Sequence, residues 1–221
     1  MPDYTNPIAT VDAVILTLEQ GRLKIMLARR AAGPFQGALA LPGGYVHPEE
    51  DRSLADAVRR ILRGKCGVDV AYMEQLETFS GPDRDPRGWS ISVAHIALVP
   101  RDALPVETEE RQFHDVDDLP DLAFDHAEIV AAALRRLRGK GAYSTLPAAF
   151  LGESFTLPEM QRAYEAVLGE RLNLAAFRRK VMDWGLVEDT GEKDRSTDRP
   201  AALYRLAEPF RTLERSLRTA A

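Results

Sequence analysis

Two periodicities divide the chain. Through the first 140 residues, short apolar runs alternate with turn signals. Val11–Leu18 and Leu23–Ala28 flank Glu19-Gln20-Gly21-Arg22, a hairpin-like break, and Val70–Phe79 and Trp89–Val99 are further β-rich stretches, the last alternating as Ile91, Val93, His95. The period changes to three and four between Ser53 and Lys65, where Leu54, Ala57, Val58, Ile61 and Leu62 form the apolar stripe of a helix. Asp125 is placed to cap a second helix through Ile129, Val130, Ala133, Leu134 and Leu137, expected to stop near Gly139 or Gly141. Strands interleaved with two helices predict a mixed α/β domain.

Beyond Gly141 the grammar is helical. Thr156-Leu157-Pro158-Glu159 is a capping box with proline in the first turn, and Phe155 is placed to staple onto Met160. Leu157, Met160, Tyr164, Val167 and Leu168 share a face that Gly169 ends; Asn173 then caps a helix whose stripe is Leu174, Phe177, Val181 and Trp184, ended by Gly185. Leu186–Thr190 and Ala201–Leu206 flank the polar loop Gly191–Pro200. Helix, turn, helix, hairpin is the winged-helix order, with the hairpin loop as wing. The expected domains are 1–141 and 142–221, with Gly139-Lys140-Gly141 as a short linker.

Charge sharpens the division. The formal net charge is −5, which argues against indiscriminate nucleic-acid binding, yet from Gly141 onward basic and acidic residues balance at 12 each, so the whole deficit lies in the front part. One cysteine, Cys66, excludes an internal disulfide and fits a reducing cytoplasm. No basic-then-apolar leader and no apolar run of ~20 residues is present, so a cytoplasmic protein without a membrane partner is expected.

Four groups of residues bear on chemistry. In the Pro42-Gly43-Gly44 loop, glycine lets backbone approach a ligand closely. In Asp83-Arg84-Asp85-Pro86-Arg87-Gly88-Trp89, Arg87 offers a donor fork that suits phosphate and Trp89 a face for a flat base; Arg29 and Phe35 are similar candidates. Asp125 and His126 stand at the start of the second helix. The four histidines have no ligand-like spacing, so no metal is expected. In Phe177-Arg178-Arg179-Lys180, Phe177 belongs to the buried stripe and the cations follow it on the helix that would enter a major groove, while Lys193, Arg195 and Arg199 lie on the wing.

Leu41–Val68, a Gly-Gly loop leading into a helix and a glycine, resembles the Nudix box. In active members three glutamates on one helix face present oxygens to magnesium. Working back from Gly67, those positions hold Ile61, Gly64 and Lys65. Glu50 stands at the family's first glutamate, Asp51-Arg52 looks like a two-residue insertion, and Arg60 matches the family's arginine, here expected to pair with some other acid or to face solvent. Together with Asp85–Ser90, Ala123–His126, Phe155–Glu159, Phe177–Arg179 and Arg199–Ala201 before Tyr204, this box makes the chain similar to the Nudix-related transcriptional regulators of NAD metabolism. The resemblance implies a Nudix-like mixed-sheet sandwich followed by a C-terminal winged helix. It also implies no catalytic residues, no cofactor, and a homodimer that represses from a palindromic operator. The effector would be ADP-ribose or a related nucleotide, bound by Arg29, Phe35, Gly43, Gly44, Arg87, Trp89, Asp125 and His126. The rival readings are a sugar-responsive regulator of the same architecture and a hydrolase of ADP-ribose.

Overall fold

Residues Val11 to Thr17 are all buried, and a strand covered on both faces reads as one continuous apolar run. A computed structural model describes residues 6–70, 72–195, 200–213 and 216–217 and places that run at the centre of a sheet. Seven strands form it: β1 (Ile8–Glu19), β2 (Arg22–Arg29), β3 (Leu39–Ala40), β4 (Gly43–Tyr45), β5 (Tyr72–Gly81), β6 (Ser90–Leu98) and β7 (Arg111–Asp115). The path is β3-β2-β1-β6-β5, with β4 added to β1 and β7 to β2. β1 runs parallel to β6, Val11 opposite Val93 and Leu16 opposite Leu98, and antiparallel to β4, so the sheet is mixed. Against Val11, Ala13 and Ile15 pack Ala57, Val58, Ile61 and Leu62 of the stripe expected of the first helix; Leu54, its expected first member, lies on the opening turn and is exposed.

That helix, α1 (Leu54–Ile61), begins where Ser53 accepts a hydrogen bond from the Asp56 amide at 3.2 Å. It does not continue regularly to Lys65. Leu62–Cys66 is a π turn closed by Gly67 at φ 67°. The wider turn buries both Leu62 and Cys66 while Gly64 and Lys65 stay exposed. Burial pushes the Cys66 thiol up to about 11, so it packs as an inert apolar group.

The chain separates into two compact units, Met1–Thr17 with Lys24–Leu134, and Leu18–Leu23 with Arg135–Ala221. The division falls inside α2 (His126–Gly141), so Gly139-Lys140-Gly141, expected as a linker, is helical. In the second unit α3 (Leu157–Leu168) starts with the full capping box: the Glu159 amide donates to Thr156 Oγ1 at 3.3 Å and the Thr156 amide to Glu159 Oε2 at 2.7 Å. α4 (Leu174–Asp183) is capped by Asn173, which accepts from the Ala176 amide at 2.9 Å. The hairpin of β8 (Val187–Asp194) and β9 (Ala201–Leu206) is longer than expected, and its register shifts between Asp189 and Lys193, which puts Lys193 on a strand and not in the loop. Tyr164 and Phe177 meet edge to face at 5.4 Å in the core, with the buried Tyr164 hydroxyl donating to the Ser144 carbonyl at 2.8 Å. No helix among the described residues is long and apolar enough to cross a membrane.

Two outcomes follow for stability. Thr156→Ala removes the side-chain half of a buried cap, leaving the residue 156 amide its bond to Glu159, and should destabilise the second unit by about 1 kcal/mol, with Thr156→Ser keeping most of it. Equal denaturation midpoints for Thr156→Ala and the parent would show that the box contributes nothing. His95 and His126 are both buried, and burial pushes both imidazoles below their ordinary pKa. They are neutral when folded, whereas unfolded imidazole takes up a proton near ~6.5, so the unfolded state binds more protons below that pH. Melting temperature should therefore hold above about pH 7 and fall as the pH drops through ~6.5, less steeply in His95→Gln. A melting temperature that stays level down to about pH 5 would count against this origin.

Candidate ligand site and nucleic-acid interface

Asp12 is the one acid in the apolar run of β1, and it is buried. Its Oδ2 accepts from Ser92 Oγ on β6 at 2.6 Å and lies 3.8 Å from Arg84; its Oδ1 lies 3.6 Å from His126 Nε2. Gly43 stands opposite Asp12 in the β1–β4 register, and a Cβ there would fall 1.9 Å from Asp12 Oδ1. The first glycine of the loop is thus required by a buried carboxylate of the protein itself, not by the approach of a ligand. A Cβ on Gly44 would lie 3.3 Å from Ile61 and 3.4 Å from the Lys65 ammonium. His126 is fixed by a hydrogen bond in which the Leu41 amide donates to Nδ1 at 2.8 Å. The neutral ring therefore carries its hydrogen on Nε2, towards Asp12.

Two adjoining clefts open beside this cluster. The smaller, about 180 Å³, is lined among others by Gly43, Gly44, Tyr45, Arg30, Lys65 and Arg87. The larger, about 780 Å³, has Phe35 and Phe124 on its wall with Asp83, Asp125 and Glu128; Arg84, Asp85 and Phe124 belong to both. Phe35 and Phe124 meet edge to face at 4.9 Å, and Arg30 lies 4.6 Å from the Phe124 ring centre. Both phenylalanines have left-handed backbone, φ 59° and 57°, an arrangement that costs ~1–3 kcal/mol for a bulky residue and gathers at ligand sites.

Carboxylates already neutralise two of the cations here. Arg84 forms a bidentate pair with Asp125, 2.9 Å in each contact, and donates to Ser90 Oγ at 3.2 Å. Arg87 is bidentate to Asp85 at 2.9 and 2.6 Å and donates to the Tyr45 hydroxyl. The Arg87 hydrogen bonds hold the Asp85 carboxyl below the usual carboxylate range. Arg30 and Lys65 are held by carbonyls instead: Arg30 Nε donates to Pro34 at 2.7 Å and Lys65 Nζ to Gly43 at 2.6 Å. Burial, then repulsion from Arg87, lowers the Arg30 pKa.

The structure brings together Phe35, Gly43, Gly44, Arg87, Asp125 and His126 from the sequence expectation, and corrects the rest. Arg29 faces away, its guanidinium donating to the Gly37 carbonyl at 2.7 Å and to that of Glu109 at 3.3 Å; Arg30 lines the cleft in its place. Trp89 is half exposed and lines neither cleft. The carboxylate of Asp125, expected as a helix cap, is taken by Arg84. Arg60 does pair with another acid, Asp51 of the insertion, at 2.8 and 2.7 Å, and these bonds bring the Asp51 carboxyl down to about 2. Sequence reasoning passed over Asp12, Arg30 and Tyr45. An acid inside an apolar strand was the available signal for the first; nothing in spacing marks the other two.

On α4, Phe177 and Val181 are buried and Arg178 and Arg179 exposed, as expected, but Leu174, expected in the buried stripe, is exposed on the first turn and Trp184 is only half-buried. Lys180 departs from the expectation: it is half-buried, donating to the Ser216 carbonyl at 3.3 Å with its ammonium 5.9 Å from the Trp184 ring centre. Lys193 and Arg195 are exposed on the wing, and Arg199 lies outside the described residues.

Comparison with known proteins agrees with both halves of this description. The NUDIX domain family matches residues 7–136, and the NrtR DNA-binding winged helix domain matches residues 147–206. The ADPR-responsive transcriptional repressor of Acinetobacter baylyi is 39% identical over 210 residues, covering 93% of this chain and 84% of that protein. Shewanella oneidensis NrtR, crystallised with a 27mer DNA, superposes with a TM-score of 0.87 at 37% identity over 94% of this chain and 98% of that one. The NUDIX domain of the same protein in complex with ADP-ribose is 36% identical, with a TM-score of 0.56 over 61% of this chain and 90% of that one. The chain belongs to the NrtR family of transcriptional regulators, in which a Nudix domain is joined to a winged-helix DNA-binding domain.

Proposed function

We propose that the chain is a repressor of NAD-metabolism genes whose Nudix unit binds ADP-ribose without cleaving it. One observation carries the reading. Of the three positions that hold metal-binding glutamates in active Nudix enzymes, one is a core isoleucine, Ile61, one is Gly64 and one is the cation Lys65. Metal-assisted hydrolysis needs a fixed cation to activate water and to neutralise charge developing on phosphate. An apolar side chain, a missing side chain and an ammonium supply no ligand for it. The relatives support the same reading: the Acinetobacter repressor is ADPR-responsive, and the Shewanella domain was crystallised with ADP-ribose. Arg30 and Lys65, which form no ion pair among the described residues, favour an anionic effector over a neutral sugar. Phe35 and Phe124 offer apolar surface to the adenine.

The second unit reads DNA in this proposal, as a homodimer on a palindromic operator in the cytoplasm. Arg178 and Arg179 enter the groove from α4, and Lys193 and Arg195 meet phosphate from the wing. Lys180, already turned onto its own domain, contributes less.

Incubation of the protein with ADP-ribose and magnesium or manganese should raise its melting temperature and yield no AMP. Turnover at ~1 per second or faster would establish an enzyme instead. A shift with neutral sugars and none with ADP-ribose would favour the sugar-responsive relatives. For the DNA unit, the double substitution Arg178→Ala/Arg179→Ala should weaken binding to an operator selected from random duplexes. A base-reading arginine is worth about 1–3 kcal/mol at its position, and a phosphate contact reduces the salt slope by about 0.9. Parental affinity and salt slope in the double variant would show that another surface reads the operator.

A further inference from the structure

Four cationic side chains line the smaller cleft: Arg30, Lys65, Arg84 and Arg87. Asp125 and Asp85 neutralise Arg84 and Arg87 through bidentate pairs, so an anion could engage those two only by competing with a carboxylate. Arg30 and Lys65 differ. Among the described residues neither forms an ion pair, and each is held in place by backbone carbonyls: Arg30 by Pro34 and Ala32 at 2.7 and 3.4 Å, Lys65 by Gly43 at 2.6 Å. A carbonyl orients a cation without cancelling its charge. An ammonium has three donors, and Gly43 takes one of them, which leaves two for a ligand. The floor between β1 and the π turn carries no side chain, because Gly43 and Gly44 form it.

We propose that Lys65 and Arg30 form the diphosphate subsite, and that Lys65 is a built-in counter-cation which makes binding independent of any divalent metal. This rests on the ADP-ribose reading. Each cation comes from a different element, the residue after β2 and the turn after α1, so each can meet one phosphate of a diphosphate. Charge-assisted bonds to phosphate are about twice as strong as neutral ones, and lysine binds phosphate as a point charge. The larger cleft next door, with its phenylalanines and its acids Asp83 and Glu128, then receives the uncharged, hydroxyl-bearing remainder of the ligand.

The test is calorimetry on the full chain with two probes, ADP-ribose and inorganic pyrophosphate, each titrated in EDTA and in magnesium. The parent should bind with the same affinity in both buffers. Lys65→Gln should weaken both probes by about 10- to 100-fold, the loss of one charged hydrogen bond, while Lys65→Arg stays within about threefold of the parent. Lys65 is exposed, and an unchanged melting temperature will show that the variants are folded. Equal affinity of Lys65→Gln and parent for both probes overturns the proposal. Loss of parental binding in EDTA overturns it too, because a metal would then carry the charge. If the parent ignores ADP-ribose but binds pyrophosphate in a Lys65-dependent way, the subsite stands and the ADP-ribose reading falls.

Discussion

A single buried carboxylate organises the first unit. Asp12 sits in the middle of the sheet where an unpaired charge would be strongly unfavourable, and its neighbours answer that cost. Ser92 donates from β6, Arg84 approaches from the segment before β6, and His126 reaches it from the first residue of α2. Gly43 is a glycine because the Asp12 side chain occupies the space of its Cβ. Remove the carboxylate and the glycine loses its reason, Arg84 keeps only Asp125 and Ser90, and the imidazole points its hydrogen at nothing. The positions of both clefts follow from this cluster, since Asp12, Arg84 and His126 all line the smaller one and Arg84 reaches into the larger.

The helix after the Gly-Gly loop has kept its frame while its surface has changed use. Arg60 still folds back across the loop, but towards Asp51 and the Tyr45 carbonyl. That bond ties the insertion to α1 and keeps Asp51 charged to low pH, because the depressed folded pKa opposes protonation until the pH falls through about 2. Ile61 has joined the core against β1, and Lys65, carried outward by the π turn, holds the carbonyl of the first loop glycine. Substitution of a carboxylate by an ammonium at such a place reverses the sign of the charge offered to an approaching phosphate.

Much of the architecture was legible because it rests on local rules. The capping box at Thr156 and the Asn173 cap follow from side-chain chemistry within four residues, and the centres of the α1 and α4 stripes follow from period. Their first members, Leu54 and Leu174, are exposed because the first turn of each helix is left uncovered. Contacts between distant segments were not legible. Arg29 and Arg30 are equivalent in composition; only the end of β2 and the turn at Phe35 decide that Arg29 holds loop carbonyls while Arg30 faces the cleft. Arg87 looked like a phosphate fork in isolation, and Asp85, two residues earlier, takes both arms of it. Trp89 shows the same limit, since a stacking face is useful only where the backbone aims it at a pocket.

On the proposed reading, the chemistry of the smaller cleft separates recognition from turnover. Catalysis requires interactions that strengthen in the transition state beyond those made to the bound ground state. A fixed ammonium and a fixed guanidinium meet phosphate oxygens that are already fully charged before any bond breaks, so on the proposed reading they lower the free energy of substrate and transition state nearly alike. Tight binding follows, with little lowering of the barrier between them. Activation of water would need a base or a metal-bound hydroxide beside the diphosphate. The acids nearest to it are engaged: Asp85 with Arg87, Asp125 with Arg84, and Asp12 with Ser92, Arg84 and His126. Affinity without an activated nucleophile is what a receptor requires, since a ligand destroyed by its own sensor reports the sensor's rate and not the ligand's concentration.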